Sequence, residues 1–536
     1  MADRRFAGDA LVFAAAFLLF SLELAVAKAL LPRFGGSPMV WTTSMLAYQV
    51  LLLGGYAYAH GLAARFSGAM QANIHTVFLV LAVAVAIMGL RVSALTGGDP
   101  AMMSKHPLAG LLWTLVGSVA IPFLAVSATS PLAQHWQQRV HPERSAYRLY
   151  AVSNIGSFAG LLTYPFIIEP WIKLSHQFTL WTVAFTITSL GLIAMGGRVR
   201  RASASTPAQA NTATEPAKGA ATGARVRMLW LLLPATTSAL LLSATNELCQ
   251  DLAVFPFLWV LPLSLYLLSY SLTFRDRPMH SPTALAACIT VVTLGTTLLS
   301  LMLPAPVHVI TINALVYILC LAAHREVYRL RPPAQHLTSY YLHMAAGSGL
   351  GAASVALLAP TFFTGYWEFH LSIMAVWIAL VMAMAPDPKG CLRIGDPRHA
   401  AVLMGLLVFL TINQIPEAWL RDYVSGWSSA LSLPVRIAVS VSVSVIVWTT
   451  LLRRRRLIHS PLWPRILVGL VIFMVECSLL DRVRSDRSSA GQVSRNFFGV
   501  VRVQEVKHKQ AGIQVRQLTH GNINHGWQYM NPELHR

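Results

Sequence analysis

Apolar runs of about 20 residues recur about fifteen times between Leu11 and Leu480, separated by short basic loops. At roughly 1.5 Å rise per residue, one such run crosses a hydrocarbon core of roughly 30 Å. A soluble core has no use for that length so many times over. The chain therefore reads as an all-α polytopic membrane protein of about fourteen or fifteen transmembrane helices.

Charge agrees with this. Charged residues make up 12% of the 536 residues and hydrophobic ones 55%. The net charge of +20 would suggest nucleic acid in a soluble protein. Here Lys and Arg sit in the loops, where they fix helix orientation. No nucleic-acid partner is expected. The five cysteines are isolated and form no CxxC pair, so neither a disulfide framework nor a metal site is indicated.

The sequence divides into a first bundle over 1–196 with about six spans, a linker over 197–227, and a second bundle over 228–480 with eight or nine spans. The linker is rich in Ala, Thr, Ser and Gly and reads as flexible. No repeat between the halves stands out, although inverted structural repeats can hide in sequence. Basic clusters at Arg139 and Arg144, Arg325 to Arg331, and Arg453 to Arg456 fall on the side of the N-terminus. The expected location is a bacterial inner membrane with the N-terminus in the cytoplasm. The run 464–480 is short and holds Glu476, which leaves open whether it spans. Arg482, Arg484, Arg487 and Arg495 beyond it lean the tail towards the cytoplasm.

From residue 485 the pattern changes. RNFFGVVRVQEVK and GIQVRQL alternate polar and apolar around the turn composition HKQAG, which predicts a short β-hairpin. Two strands alone are marginal, so the hairpin should open a larger module that the chain does not complete.

Polar residues within apolar spans are costly and often functional. The intramembrane candidates are Glu23, Lys28, Asn154, Glu247 and Asp251. Lys28 can equally snorkel and Glu23 can pair structurally. Glu247 and Asp251 share one helical face at a spacing of four and could hold a cation, or lie in a turn. GSGLG at Gly347–Gly351 looks like a nucleotide loop, but it follows no strand and lies within a span. There it favours close helix contact. In the tail, His520, His525, Gln528, Tyr529 and Glu533 cluster at a strand end and could bind a polar or cationic small molecule.

GGSPMVW, SNIGSFAGLLTYPFIIEPW, FPFLWVLPLSLYLLSY and RNFFGVVRV followed by LTHGNINHGWQ, in that order, resemble the bacterial membrane-bound spermidine-synthase-like family. The resemblance implies a membrane portion anchoring an aminopropyltransferase-like module over 485–536 and beyond. It also implies a Rossmann-like catalytic chain or continuation after Arg536, and an S-adenosylmethionine-type nucleotide bound there. Gln528 is the nearest match to the family's groove glutamine. On this reading the chain is not catalytic alone. Two other functions fit: a multi-pass transporter of a cationic or hydrophobic small molecule with Glu23, Asn154 and Glu247 along its pathway, or a structural membrane subunit. The lipid bilayer is the expected partner, and a homo-oligomer is open.

Overall fold

The computed structural model describes residues 2–89, 106–140, 146–205, 223–251, 257–274, 305–384 and 492–531, together with position 442 and apart from positions 36, 334–335, 497–498, 508–513 and 521–522. The expected spans 283–303, 399–415, 430–452 and 464–480 lie outside the described residues. The chain forms two compact units. One comprises Met1–Met279, Ala323–Ser372 and Gln492–Arg536; the other comprises His280–Ala322 and Ile373–Gly491.

The described helices are α1 (Ala2–Phe34), α2 (Pro38–Arg65), α3 (Gly68–Gly89), α4 (Pro107–Val140), α5 (from Ala146 to Trp171), α6 (Leu174–Ser205), α7 (Ala224–Asp251), α8 (Phe257–Thr273), α9 (Ala305–Arg329), α10 (from Leu337 to Phe362) and α11 (Glu368–Met384). Eight of them are long and apolar enough to cross a membrane. The protein is a multi-pass helical membrane protein. α2 falls just outside that set because Tyr48, Gln49 and Tyr56 interrupt its apolar run. Its 28 residues still reach about 42 Å. α6 and α7 both extend into the 197–227 stretch read as linker. In the second unit the described helical stretches are 305–322 and 373–384.

Within the first unit α1 packs on α5, α2 on α4, and α3 on α6, while α7 packs on α10. α10 also lies against α2, and α8 against α5. Two pairs of glycines permit the closest approaches. A Cβ on Gly156 or Gly160 of α5 would stand 2.5 and 2.7 Å from the Phe13 and Phe17 carbonyl oxygens of α1. Gly347 and Gly351 of α10 meet the carbonyls of Leu231 and Ala235 on α7 in the same way. The GSGLG segment is therefore a helix-packing face, as small residues four apart in a span favour. Both glycine helices then pass through a π-turn, at Tyr164–Ile168 in α5 and Ser354–Leu358 in α10.

These matched pairs expose an internal repeat that the sequence alone did not yield. PMVW at Pro38–Trp41 answers PFLW at Pro256–Trp259. At that one displacement Met45 corresponds to Leu263, Tyr48 to Tyr266, Gln49 to Leu267, and Glu23 to Leu241. A second displacement relates Tyr150, Ser153, Asn154 and Ser157 to Tyr341, Met344, Ala345 and Ser348. Two equivalent pairs stack on one another: Trp41 on Trp259 with centroids 3.8 Å apart, and Tyr150 on Tyr341 at 4.9 Å. A pseudo-two-fold relation between α1–α2–α5 and α7–α8–α10 runs through the middle of the first unit.

The tail contains the expected hairpin within a larger sheet. It is a four-stranded antiparallel meander of β1 (Gln492–Asn496), β2 (Gly499–Lys507), β3 (Gln514–His520) and β4 (Ile523–Tyr529), in chain order. The expected hairpin is its central pair, β2 with β3. The chain itself supplies both flanking strands, which is how a marginal hairpin gains stability.

Candidate functional site: a central cavity lined by equivalent helices

A cavity of about 160 Å³ is walled by both sets of equivalent helices. Its wall is built from repeat-related positions: Glu23 and Leu241, Met45 and Leu263, Tyr48 and Tyr266, Gln49 and Leu267, Leu52 and Tyr270. The α5 and α10 sets, Tyr150 to Ser157 and Tyr341 to Ser348, complete it. Six tyrosines face it: Tyr48, Tyr56, Tyr150, Tyr266, Tyr270 and Tyr341. Glu23 is the one carboxylate among the described lining residues, and none of them is Lys, Arg or His.

Glu23 is 5% exposed, and the Tyr48 hydroxyl donates to its backbone carbonyl at 3.3 Å. Asn154 donates to the Tyr150 carbonyl at 2.9 Å, one turn back on α5. Hydrogen bonds tie α2 to α7 beside the cavity. Ser238 donates to Gln49 at 3.1 Å, and Thr42 donates to Asn246 at 2.6 Å. Behind the wall, the His324 ring stacks on Tyr270 at 3.5 Å and its Nδ1 meets the Ser269 hydroxyl at 2.7 Å.

The sequence-derived candidates separate into three places. Glu23 and Asn154 meet at the central cavity. Lys28 does not: it pairs with Glu169 of α5 at 2.9 Å, on the wall of a second cavity of about 190 Å³ with Trp41, Trp259 and Cys249. Glu247 is buried near the end of α7 and, with Cys249, acts electrostatically on Tyr366. Asp251 is the last residue of α7. Both therefore belong to a helix end rather than to a turn.

In the tail, His520 closes β3 opposite Ile523. His525 is exposed and sits between the paired residues Asn524 and Gly526, at a bulge. Gln528 is exposed opposite Arg516, and Tyr529 stands opposite Val515. Glu533 lies outside the described residues. The signals missed in the sequence were the tyrosines of α2, α5, α8 and α10, each unremarkable alone.

The sheet meets the bundle through Arg495. Its guanidinium donates from Nη2 to Glu368 Oε1 at 2.7 Å, and from Nη1 to Glu368 Oε2 at 3.0 Å and the Gly365 carbonyl at 2.6 Å. The pair is 2% and 5% exposed. Arg495 also covers the Tyr366 ring at 4.7 Å. Burial pushes the Tyr366 phenol well above its ordinary pKa, with Arg495 pulling it down. Thr338 at the start of α10 bonds His60 near the end of α2 at 2.9 Å. Tyr366, beyond the other end of α10, lies close to Cys249, which shares the second cavity with Lys28. The sheet is thus docked at the Lys28 end, away from the basic loop after Arg65. Arg495 serves an ion pair there.

No family model matches the chain, and no curated protein matches it. Solved structures similar to it are transporters. A POT family transporter in complex with a thioalcohol-conjugated peptide is 13% identical, with a TM-score of 0.45 over 71% of this chain and 95% of that one. The xylose transporter XylE from E. coli is 14% identical at 0.43 over 71% and 97%. The E. coli fucose:proton symporter FucP is 11% identical at 0.37 over 70% and 98%. The resemblance to membrane-bound spermidine-synthase-like proteins is corrected by this comparison. The nucleotide cofactor and catalytic partner expected with it rested on that resemblance alone.

Proposed function

We propose that the protein is a secondary transporter whose substrate site is the central cavity. The observation that carries this is a cavity walled by two sets of equivalent helices, with Glu23 the one carboxylate among its described lining residues. Transporter sites characteristically lie at such repeat interfaces near the bilayer midplane. Rocking one set of helices against the other would open the cavity to alternate sides. The stacked pairs Trp41–Trp259 and Tyr150–Tyr341 are contacts such a motion would make and break.

Glu23 is the group we assign to ion coupling. Its carboxylate stands on the cavity wall, where substrate and proton can both reach it. Among the described lining residues its titratable neighbours are tyrosines, from α2, α5, α8 and α10. Occupancy of the cavity and protonation of Glu23 would then compete or cooperate, and that linkage couples substrate movement to a proton gradient. The basic loops support a cytoplasmic N-terminus in a bacterial inner membrane. The test is uptake by proteoliposomes carrying a pH gradient from a mixed small-molecule pool, with retained solutes identified by mass spectrometry. Gradient-dependent retention that is lost in Glu23→Gln supports the reading. Equal retention in protein-free vesicles refutes it.

A further inference from the structure

The repeat makes the two walls of the cavity comparable position by position; three pairs differ in one direction, while Leu52 against Tyr270 runs the other way. The first-half wall carries Glu23, Gln49 and Asn154, whereas their equivalents are Leu241, Leu267 and Ala345. Every polar-for-apolar exchange in these three pairs places the polar group on α1, α2 or α5. Tyrosines remain on both sides: Tyr48 and Tyr266 are equivalent, as are Tyr150 and Tyr341.

From this asymmetry we infer that the substrate is an amphiphilic organic cation. Its charged head faces Glu23 and its apolar body lies against Leu241, Leu263 and Leu267. The inference rests on the transporter reading of this cavity. Three features select the class. The carboxylate attracts positive charge and repels negative charge at low dielectric. Tyrosine faces hold ammonium groups by cation–π attraction, as in aromatic cages. Leu241, Leu263 and Leu267 offer no hydrogen-bonding group, and burying a polar end against them unpaired is unfavourable. An anion would meet Glu23 with no basic residue among the described lining residues. A sugar would leave hydroxyls against those leucines.

The discriminating ligands are phenyltrimethylammonium, its neutral isostere tert-butylbenzene, and benzenesulfonate, titrated calorimetrically into the purified full chain in detergent. The cation should bind, and the other two should bind at least about tenfold more weakly. Glu23→Gln should weaken cation binding by about thirtyfold, the loss expected for a desolvated charge contact. Tyr150→Phe, which keeps the ring face, should bind nearly as wild type, and Tyr150→Leu should not. The sharpest arm moves the carboxylate across the axis. Glu23→Leu combined with Leu241→Glu should recover at least about tenfold of the binding lost in Glu23→Leu alone.

Equal affinity for all three ligands overturns the inference, as does unchanged cation affinity in monodisperse Glu23→Gln. Should Glu23→Gln fail to fold, the Tyr150 pair decides, and equal binding by both variants overturns it. If no cation binds while gradient-driven uptake of some other solute persists, the substrate class is wrong and the transporter reading stands.

Discussion

Replacing Arg495 with alanine removes the guanidinium that holds the tail sheet to the bundle. Three hydrogen bonds go with it, to both Glu368 oxygens and to the Gly365 carbonyl. The Glu368 carboxylate, 5% exposed, is left at a buried site without its partner. Breaking one side of a buried pair costs about 3–5 kcal/mol, most of it the uncompensated charge left behind. That figure bears on docking of the sheet rather than on the transmembrane core, because the pair joins β1 to the start of α11. At 1.36 kcal/mol per decade, amides of β1 to β4 that exchange through undocking should lose roughly two to four decades of protection. Hydrogen exchange with mass spectrometry on the intact chain reads this directly. Glu368→Ala in the Arg495→Ala background should recover part of the loss, since it removes the stranded charge. Protection of the sheet within about fivefold of wild type in Arg495→Ala would refute the docking account.

Other perturbations test separate parts of the structure. Gly351→Leu should drive a side chain into the Ala235 carbonyl on α7 and cost about 1–3 kcal/mol or more, seen as a lowered Tm in detergent; an unchanged Tm would remove the close packing of α10 on α7. Lys28→Ala should shift Tm little, because its pair with Glu169 is about one-third exposed and such pairs contribute about 0–1 kcal/mol; a large loss would mean that the pair is buried by something else. Trp136→Phe removes the indole N–H that donates to Gln71 at 3.0 Å and should cost about 1–3 kcal/mol by stranding that amide oxygen, measured by thermal unfolding. Cysteine introduced at exposed Ser67 and at exposed His525 should be labelled from opposite sides of sealed vesicles, and labelling of both from one side would contradict the docking end of the sheet.

The helical membrane architecture was legible because span length is a physical requirement that sequence states directly. Glu23 and Asn154 could be picked out for a similar reason: polar groups within apolar runs stand out one at a time. The repeat could not be read so. Only wall positions such as Tyr48 and Tyr266 kept their identity. The rest diverged as far as Glu23 and Leu241, and pairing them needed the packing of α1 on α5 and of α7 on α10. Tyrosines drew no attention because a single Tyr in a span usually serves packing, and only convergence from four helices makes a site. Lys28 stood out in the same way as Glu23, but its partner Glu169 on α5 is far away in sequence and could not be read from it.

The central claim is that the cavity around Glu23 carries substrate across the bilayer in exchange for a proton. Its most direct measurement uses proteoliposomes with an acidic interior and a neutral exterior, supplied outside with radiolabelled phenyltrimethylammonium. The account predicts accumulation of label inside and alkalinisation of the interior in step with it. Both should stop when the gradient is collapsed and both should be absent in Glu23→Gln. Accumulation that proceeds equally with Glu23→Gln, or label entry without any movement of protons, would contradict it.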